Sequence, residues 1–311
     1  MGFIPTNSLF EEPWWLDAVA RGRWDAVEVC RGGELVARLP YVRNTRLGLT
    51  AINNPPLTQT LGPWLDARVG AGNTARRLQW EKEVVGELID GLPKVDYFAQ
   101  SLDPSLTNWL PFHWRGYQQT TRYTYVIDSL EDTERVWAGF QSNVRRNVRK
   151  AERTVTVTTG ADADELYRLA SLVFERQGRA MPYSRDLLAR VVRASSGRGA
   201  GRIYCARDAE GNSHAAILVV WDARCAYYLV GGADPHRRNS EAGSLLFWHA
   251  IRDAASVTRR FDFEGSMLEP VERHFRGFGA RQVPYLRVMH CSRRARFGLA
   301  VRDAAMALVG R

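Results

Sequence analysis

The second half of the chain repeats the order of the first, and a duplicated unit of this length constrains the architecture before any single residue is considered. Each half reads as a helix, three strands separated by turn signals, a longer helix, a short apolar strand, a short aromatic-rich helix and a final strand. The copies nearly superpose where Trp109-Leu110-Pro111-Phe112-His113-Trp114-Arg115-Gly116-Tyr117 and its strand to Val126 resemble Val271-Glu272-Arg273-His274-Phe275-Arg276-Gly277-Phe278 and its strand to Val288. The 311 residues accordingly divide into 1–128, a connecting basic helix at 129–153, and 154–311, and a site is expected where the copies meet.

Composition narrows the class. With 45% hydrophobic and 25% charged residues the chain reads as globular, and no run approaches the roughly 18 apolar residues of a membrane span. A start without a basic-then-apolar leader adds to the expectation of a cytoplasmic protein, although Met1-Gly2-Phe3-Ile4-Pro5-Thr6 fits a loose myristoylation pattern. Net charge +9 favours an anionic partner: a nucleic acid, a phosphorylated substrate or an anionic membrane surface. Cys30, Cys205, Cys225 and Cys291 are too scattered for a zinc or redox motif and read as buried thiols, and the six histidines are equally dispersed, so neither a metal nor a redox cofactor is expected.

Along the first copy, Trp24 to Arg31 and Glu34 to Arg43 form a hairpin through Gly32-Gly33, and Leu47 to Asn53 is a third strand. The proline-rich stretch Asn53 to Trp64 is too apolar for a plain linker; it reads as a fixed loop whose Gln59 and Trp64 line a substrate groove. Glu131 to Arg153 reads as one long helix with Val136, Trp137, Phe140, Val144, Val148 and Ala151 on an apolar sector. Arg145, Arg146, Arg149, Lys150 and Arg153 lie opposite, and Arg145, Arg149 and Lys150 are candidate phosphate contacts of the donor. In the second copy, Ser184 caps a helix from Arg185, and Glu241 to Ala255 is apolar nearly all round and should be buried, with His249 a core histidine. The tail Arg293 to Val309 is amphipathic.

No nucleophile elbow, Walker loop or dinucleotide fingerprint is present, which disfavours nucleotide hydrolysis and Rossmann redox chemistry. The segment Asp234-Pro235-His236-Arg237-Arg238-Asn239-Ser240-Glu241-Ala242-Gly243-Ser244 lies between an apolar strand and a buried helix, a placement that presents free backbone N–H groups to phosphate. It resembles the R-x-x-G-x-G/A pyrophosphate loop of the GNAT acyltransferases, with Arg238, Ser240 and Gly243 as candidate phosphate contacts. Glu241 replaces the first glycine and places an anion where the phosphates of coenzyme A would go.

A resemblance to the FemAB-like branch of that superfamily covers almost the whole chain. It is carried by the doubled unit, Pro55-Pro56-Leu57-Thr58-Gln59 with Gly62-Pro63, the basic helix Asn143 to Glu152, Asp262-Phe263-Glu264-Gly265-Ser266, and Phe275-Arg276-Gly277-Phe278-Gly279. It implies an α+β fold of two tandem GNAT-like domains, each a mixed, mostly antiparallel sheet flanked by helices. It also implies a bacterial acyltransferase that transfers an acyl group to an amine, in the founding members an amino acid from aminoacyl-tRNA to a peptidoglycan precursor. The coiled-coil arm of those members is missing near Arg179 and Ser184.

The family's F-K-x-x-F-G motif sets a lysine near the developing oxyanion, and the resemblance puts Arg276 in that role with Phe275 lining the substrate. Asp262 and Glu264 alternate along one strand, sharing a face from which a carboxylate takes the proton of an attacking amine. Arg179 and Tyr183, on the loop that covers the acceptor in GNAT folds, together with Tyr228, are further substrate contacts. The expected function is therefore an N-acyltransferase using aminoacyl-tRNA, or alternatively acyl-CoA, to acylate an envelope precursor, an amino sugar or a small metabolite. A reading of another class is a non-catalytic RNA- or anion-binding protein on the same scaffold.

Overall fold

The computed structural model describes residues 4–46, 48–265 and 267–296. In chain order the elements are α1 (Pro13–Ala20), β1 (Trp24–Arg31), β2 (Glu34–Arg46), β3 (Leu49–Asn53), β4 (Trp64–Leu65), α2 (Thr74–Asp90), β5 (Tyr97–Ser101), α3 (Leu110–Trp114) and β6 (Gln118–Ile127). There follow α4 (Thr133–Gly139), α5 (Ser142–Ala151), β7 (Thr156–Thr159), α6 (Ala163–Arg176), α7 (Arg185–Ser196), β8 (Gly201–Arg207), β9 (Ser213–Trp221), β10 (Cys225–Ala233), α8 (Ala242–Ala254), β11 (Arg260–Asp262), α9 (Glu269–Arg276) and β12 (Arg281–Cys291). The repeat is legible in this order: α1, β1, β2, β3, α2, β5, α3 and β6 correspond to α6, β8, β9, β10, α8, β11, α9 and β12. Among the described residues no helix is long and apolar enough to cross a membrane.

Two compact units result, one of the described residues up to Arg122 together with those from Tyr285 on, the other Tyr123–Pro284. They do not end where the repeat ends. β6 closes the first repeat, yet its Val126 and Ile127 pair with Asp262 and Phe261 of β11. β12 closes the second, yet its Arg287–Cys291 pair with Ser101–Tyr97 of β5. The strands of each copy are thus paired with the last strand of the other.

The first unit orders its strands β1-β2-β3-β5-β12, antiparallel except for the parallel β3–β5 pair. Gly32 and Gly33, at φ +60° and +84°, supply the left-handed pair that a tight β1–β2 hairpin requires. Val29, Leu39, Val84 and Leu88 form one core cluster and Ile52, Phe98, Phe112 and Val288 another. The 53–64 loop is fixed as expected: Trp15 Nε1 donates to Thr58 Oγ1 at 3.0 Å, Leu61 N–H to Ser101 O at 2.8 Å, and Asn7 Nδ2 to Pro63 O at 2.9 Å.

The second unit runs β6-β11-β10-β9-β8-β7, with β10–β11 the parallel pair. α6 packs on β10 and β9, and α8 on β9, β8 and α5. Leu245, Leu246, Phe247, Trp248 and Ile251 of α8 are buried, as their all-round apolarity implies, against Phe140, Val144, Val148, Phe261, Phe263 and Phe278. His249 is half-buried, and burial holds its imidazole below the usual range.

Three expectations change. The helix expected over Glu131 to Arg153 is two helices, because Phe140 and Gln141 adopt extended conformations. The break turns the Phe140 ring into the aromatic core at 5.1 Å from Phe278 and 5.4 Å from Trp248, while Gln141 N–H donates to Gly277 O at 2.8 Å. Cys205 and Cys225 are buried, but Cys30 is exposed and Cys291 half-buried; Cys30 follows the inward-facing Val29 on the edge strand β1 and so shares the outer face with Glu28. The myristoylation pattern at Met1–Phe3, Leu47, Ser266 and the tail beyond Arg296 lie outside the described residues.

Candidate active site

The parallel strands of the second unit part company at one point. β10 and β11 pair only through Cys225↔Arg260, Ala226↔Phe261 and Tyr227↔Asp262. Beyond it β10 stays with β9, from Val230↔Leu218 to Ala233↔Ala215, after a bulge between Tyr228 and Val230. The chain after Asp262 instead follows β6: Phe263 N–H donates to Tyr125 O at 2.9 Å. Gly265, at φ +26°, passes so close to β6 that a Cβ there would stand 2.2 Å from Tyr123 O. A wedge opens between the two strands, and along it no strand among the described residues pairs the β11-facing edge of β10.

Asp262 and Glu264 lie at this wedge, but not as two alternating residues of one strand. β11 ends at Asp262, and Glu264 is held at φ +52°, a left-handed conformation that strains a non-glycine residue. Its N–H donates to Asp262 Oδ1 at 2.7 Å, and the same oxygen accepts from Thr124 Oγ1. Glu264 Oε1 is shielded from solvent and has no hydrogen-bond partner among the described residues. Burial first, and the neighbouring Asp262 second, push the Glu264 carboxyl well above the usual carboxylate range. Tyr228, in turn, titrates above the usual phenol range through burial and the proximity of Glu264, and Tyr183 through burial, Tyr228 and Tyr167. The Tyr228 ring stands 4.8 Å from Phe247 and 5.9 Å from Phe275, which stacks on Phe263 at 5.2 Å. Asp262, Glu264, Tyr228, Tyr183 and Phe275 are thus brought together.

A recess of about 120 Å³ adjoins the start of α8, lined by Arg238, Ser240 and Gly243 and also by His214, Arg237 and His274. Glu241 precedes the helix at φ +60°; its side chain makes no cap, and its carbonyl accepts from Ser244 N–H at 3.0 Å. Ser240 Oγ donates to Arg237 O at 2.9 Å. His214 Nε2 lies 3.0 Å from Asp208 Oδ2, while its Nδ1 is shielded and unpartnered. His274 is reachable by solvent, yet protein packed around it, with Phe247 at 5.7 Å and Phe278 at 5.3 Å, holds its imidazole below the usual range.

The other candidates lie elsewhere. Arg276 is 57% exposed and paired through Nε with Glu272 Oε1 at 3.0 Å, and Glu272 also accepts from Tyr125 Oη at 2.8 Å. No ion pair joins Arg276 to Asp262 or Glu264 among the described residues. Phe275-Arg276-Gly277-Phe278-Gly279 also holds one residue fewer between its aromatics than F-K-x-x-F-G. Counted back from Phe278, the lysine position is the buried Phe275. Arg145 donates to Ala138 O at 2.8 Å and to Phe140 O, closing the carbonyl end of α4 across the helix break. Arg149 sits 5.9 Å from the Trp137 ring, and Lys150 is exposed. Arg179 is exposed at 5.8 Å from the Phe174 ring. Gln59 and Trp64 belong to the first unit, where Gln59 O accepts from Asn54 and Trp64 pairs with Arg38 of β2.

Sequence reasoning missed Thr124, His214 and His274. Thr124 and His214 are single polar residues in strands and carry no local signal; His274 stood beside Phe275 in a motif already singled out.

Residues 138–274 match a family model described as an acetyltransferase (GNAT) domain. Among solved structures the chain is similar to FemX, at a TM-score of 0.64 and 13% identity over 91% of this chain and 92% of that one. It is also similar to L-PGS from Bacillus licheniformis, at a TM-score of 0.52 and 11% identity over 95% and 91%. At these identities the likeness is one of fold. No curated protein matches the sequence. The α+β class is found in the folded chain, and the GNAT resemblance is carried by the match over residues 138–274.

Proposed function

With a GNAT acyltransferase domain at residues 138–274 as the starting point, we propose that the chain is an N-acyltransferase moving an aminoacyl group from the ester of an aminoacyl-tRNA onto an amine. The observation that carries this reading is Glu264: a strained, shielded carboxyl with an unpartnered oxygen beside a wedge of unpaired backbone. A carboxylate whose proton affinity is raised above the usual range suits general base work on an amine. Its ionised form takes a proton from the amine nitrogen as that nitrogen bonds to the acyl carbon. The carbonyl oxygen becomes an oxyanion, met by N–H groups on the free edge of β10. The ester C–O bond then breaks, and the departing ribose oxygen recovers the proton from Glu264, leaving an amide and a free hydroxyl. Asp262, fixed by Thr124 and by the Glu264 N–H, keeps that proton affinity high. Tyr228 and Tyr183 bound the acceptor side.

The recess beside α8 supports a second donor, acyl-CoA, because a helix start with Arg238 above it suits a pyrophosphate. Glu241 next to it weighs the other way. The two donors are separated by supplying purified protein with charged tRNA and, separately, labelled acetyl-CoA. An amino sugar, a muropeptide precursor and a diamine serve as acceptor probes, and amides are read by mass spectrometry. Amide from charged tRNA is expected, with kcat lowered about 10²- to 10⁴-fold in Glu264→Gln at unchanged melting temperature. Transfer from the thioester alone overturns the donor, and full activity in Glu264→Gln overturns the base.

A further inference from the structure

We infer that the cavity between α4 and the start of β12 is a binding site for a zwitterion, an ammonium and a carboxylate carried on one apolar body, of the size of an amino acid or a dipeptide. The cavity measures about 450 Å³, within the range of small-molecule sites, and its whole lining belongs to the second unit. It is separate from the wedge. β6 runs from Tyr123, beside Gly265 at the wedge, to Ile127 at the cavity, a distance of about 13 Å along the strand.

The floor is apolar: Ile127 and Phe278 are buried and Val136 is half-buried against the core. Five charged residues stand around it, and three are already committed. Arg281 donates to Asp128 through Nε at 2.7 Å and Nη2 at 3.0 Å, which holds the Asp128 carboxyl below the usual range. Asp132 Oδ1 accepts from Arg135 N–H at 3.0 Å and so caps α4. Glu131 and the Arg135 guanidinium remain, and neither makes an ion pair among the described residues.

Exposed arginines without an ion pair are common on this unit, Arg168 and Arg193 among them, so a missing partner alone carries nothing. Arg135 differs because an unpaired acid shares its cavity. Acid and base four residues apart ordinarily close on each other, as Asp186–Arg190, Glu269–Arg273 and Glu272–Arg276 do. Glu131 precedes the Asp132 cap, off the helix, and the two charges stay apart over the apolar floor. Neighbouring recesses lack this balance. The one at the start of α8 sets Arg237 and Arg238 against Glu241, and the hollow over Tyr123 and Tyr125 holds Glu269 and Glu272, each already ion-paired. An anion in the cavity would face Glu131, and a cation would face Arg135. A zwitterion answers both, its carboxylate on the guanidinium and its ammonium on Glu131.

Isothermal titration of the full chain with L-phenylalanine and with glycyl-L-phenylalanine separates the two sizes, while N-acetyl-L-phenylalanine and phenethylamine each remove one charge. Saturable binding of at least one zwitterion is expected, with both single-charge analogues at least about 10-fold weaker. Glu131→Gln and Arg135→Gln are each expected to weaken the zwitterion about 10-fold at unchanged melting temperature. Glu131→Gln leaves the affinity for N-acetyl-L-phenylalanine no lower than in wild type, because that ligand has no ammonium to lose. Glu134→Gln removes an exposed acid outside the lining and is expected to bind as wild type does. Absence of saturable binding of either zwitterion up to about 10 mM overturns the inference. Full affinity in Glu131→Gln and Arg135→Gln overturns it as well, as does an analogue that binds as tightly as its zwitterion or an equal loss in Glu134→Gln.

Discussion

Glu11 carries a burden that its surroundings only partly relieve. The side chain is fully buried, with Asn7 donating its backbone N–H to Oε2 at 2.8 Å and its Nδ2 to Oε1 at 2.9 Å. Burial outweighs both bonds and pushes the carboxyl up to about 7. A folded-state value above the unfolded one means that the native chain binds the extra proton. This contribution is fully present below about pH 4.5 and is lost as pH rises through 7. The swing is on the order of 3 kcal/mol. Urea denaturation at pH 5 and pH 8 is expected to show wild type losing more stability across that interval than Glu11→Gln, and parallel curves would remove Glu11 as the cause. Glu264 also titrates high through burial, here with the neighbouring Asp262 adding to the rise and with Oε1 lacking a hydrogen-bond partner among the described residues.

Packing between elements depends on a few places where only hydrogen fits. At Gly232 of β10 a Cβ would stand 2.2 Å from the carbonyl carbon and oxygen of Leu169 in α6. Backbone, unlike a side-chain tip, cannot swing aside, so Gly232→Ala must push α6 off the sheet. A loss of about 1–3 kcal/mol in chemical denaturation is expected, with a raised KM because α6 carries Tyr167 against Tyr183. An unchanged midpoint would show that the helix has another seat. Elements of this kind were legible where the pattern is local: the β1–β2 hairpin at its glycines, the burial of α8 in its run of apolar residues, the cap at Ser184, whose Oγ accepts from Leu187 N–H at 3.2 Å. The break at Phe140 was not, because periodicity sees Phe140 on the right face. It does not see that a ring among Trp248 and Phe278, which come from distant sequence, outweighs the helical bonds given up. The same limit hid the wedge, since Asp262 and Glu264 alternate in sequence while a left-handed turn separates them in space.

At the scale of the molecule, the duplication was readable and the exchange of final strands was not, because strand pairing is non-local and the repeat is silent about which copy each strand completes. A chain stopped at residue 128 lacks the strand that pairs with β5, and one begun at 154 lacks the strand that pairs with β11. Neither fragment is expected to unfold cooperatively or to resist trypsin, whereas both mixed together regain part of the protection seen in the full chain. A protease-resistant 1–128 fragment would contradict this. During synthesis the same connectivity imposes a delay: the amino-terminal unit waits for β12, which follows nearly all of the second unit in the chain, so the nascent polypeptide leaves the ribosome with one edge of β5 uncovered and exposed to unwanted partners.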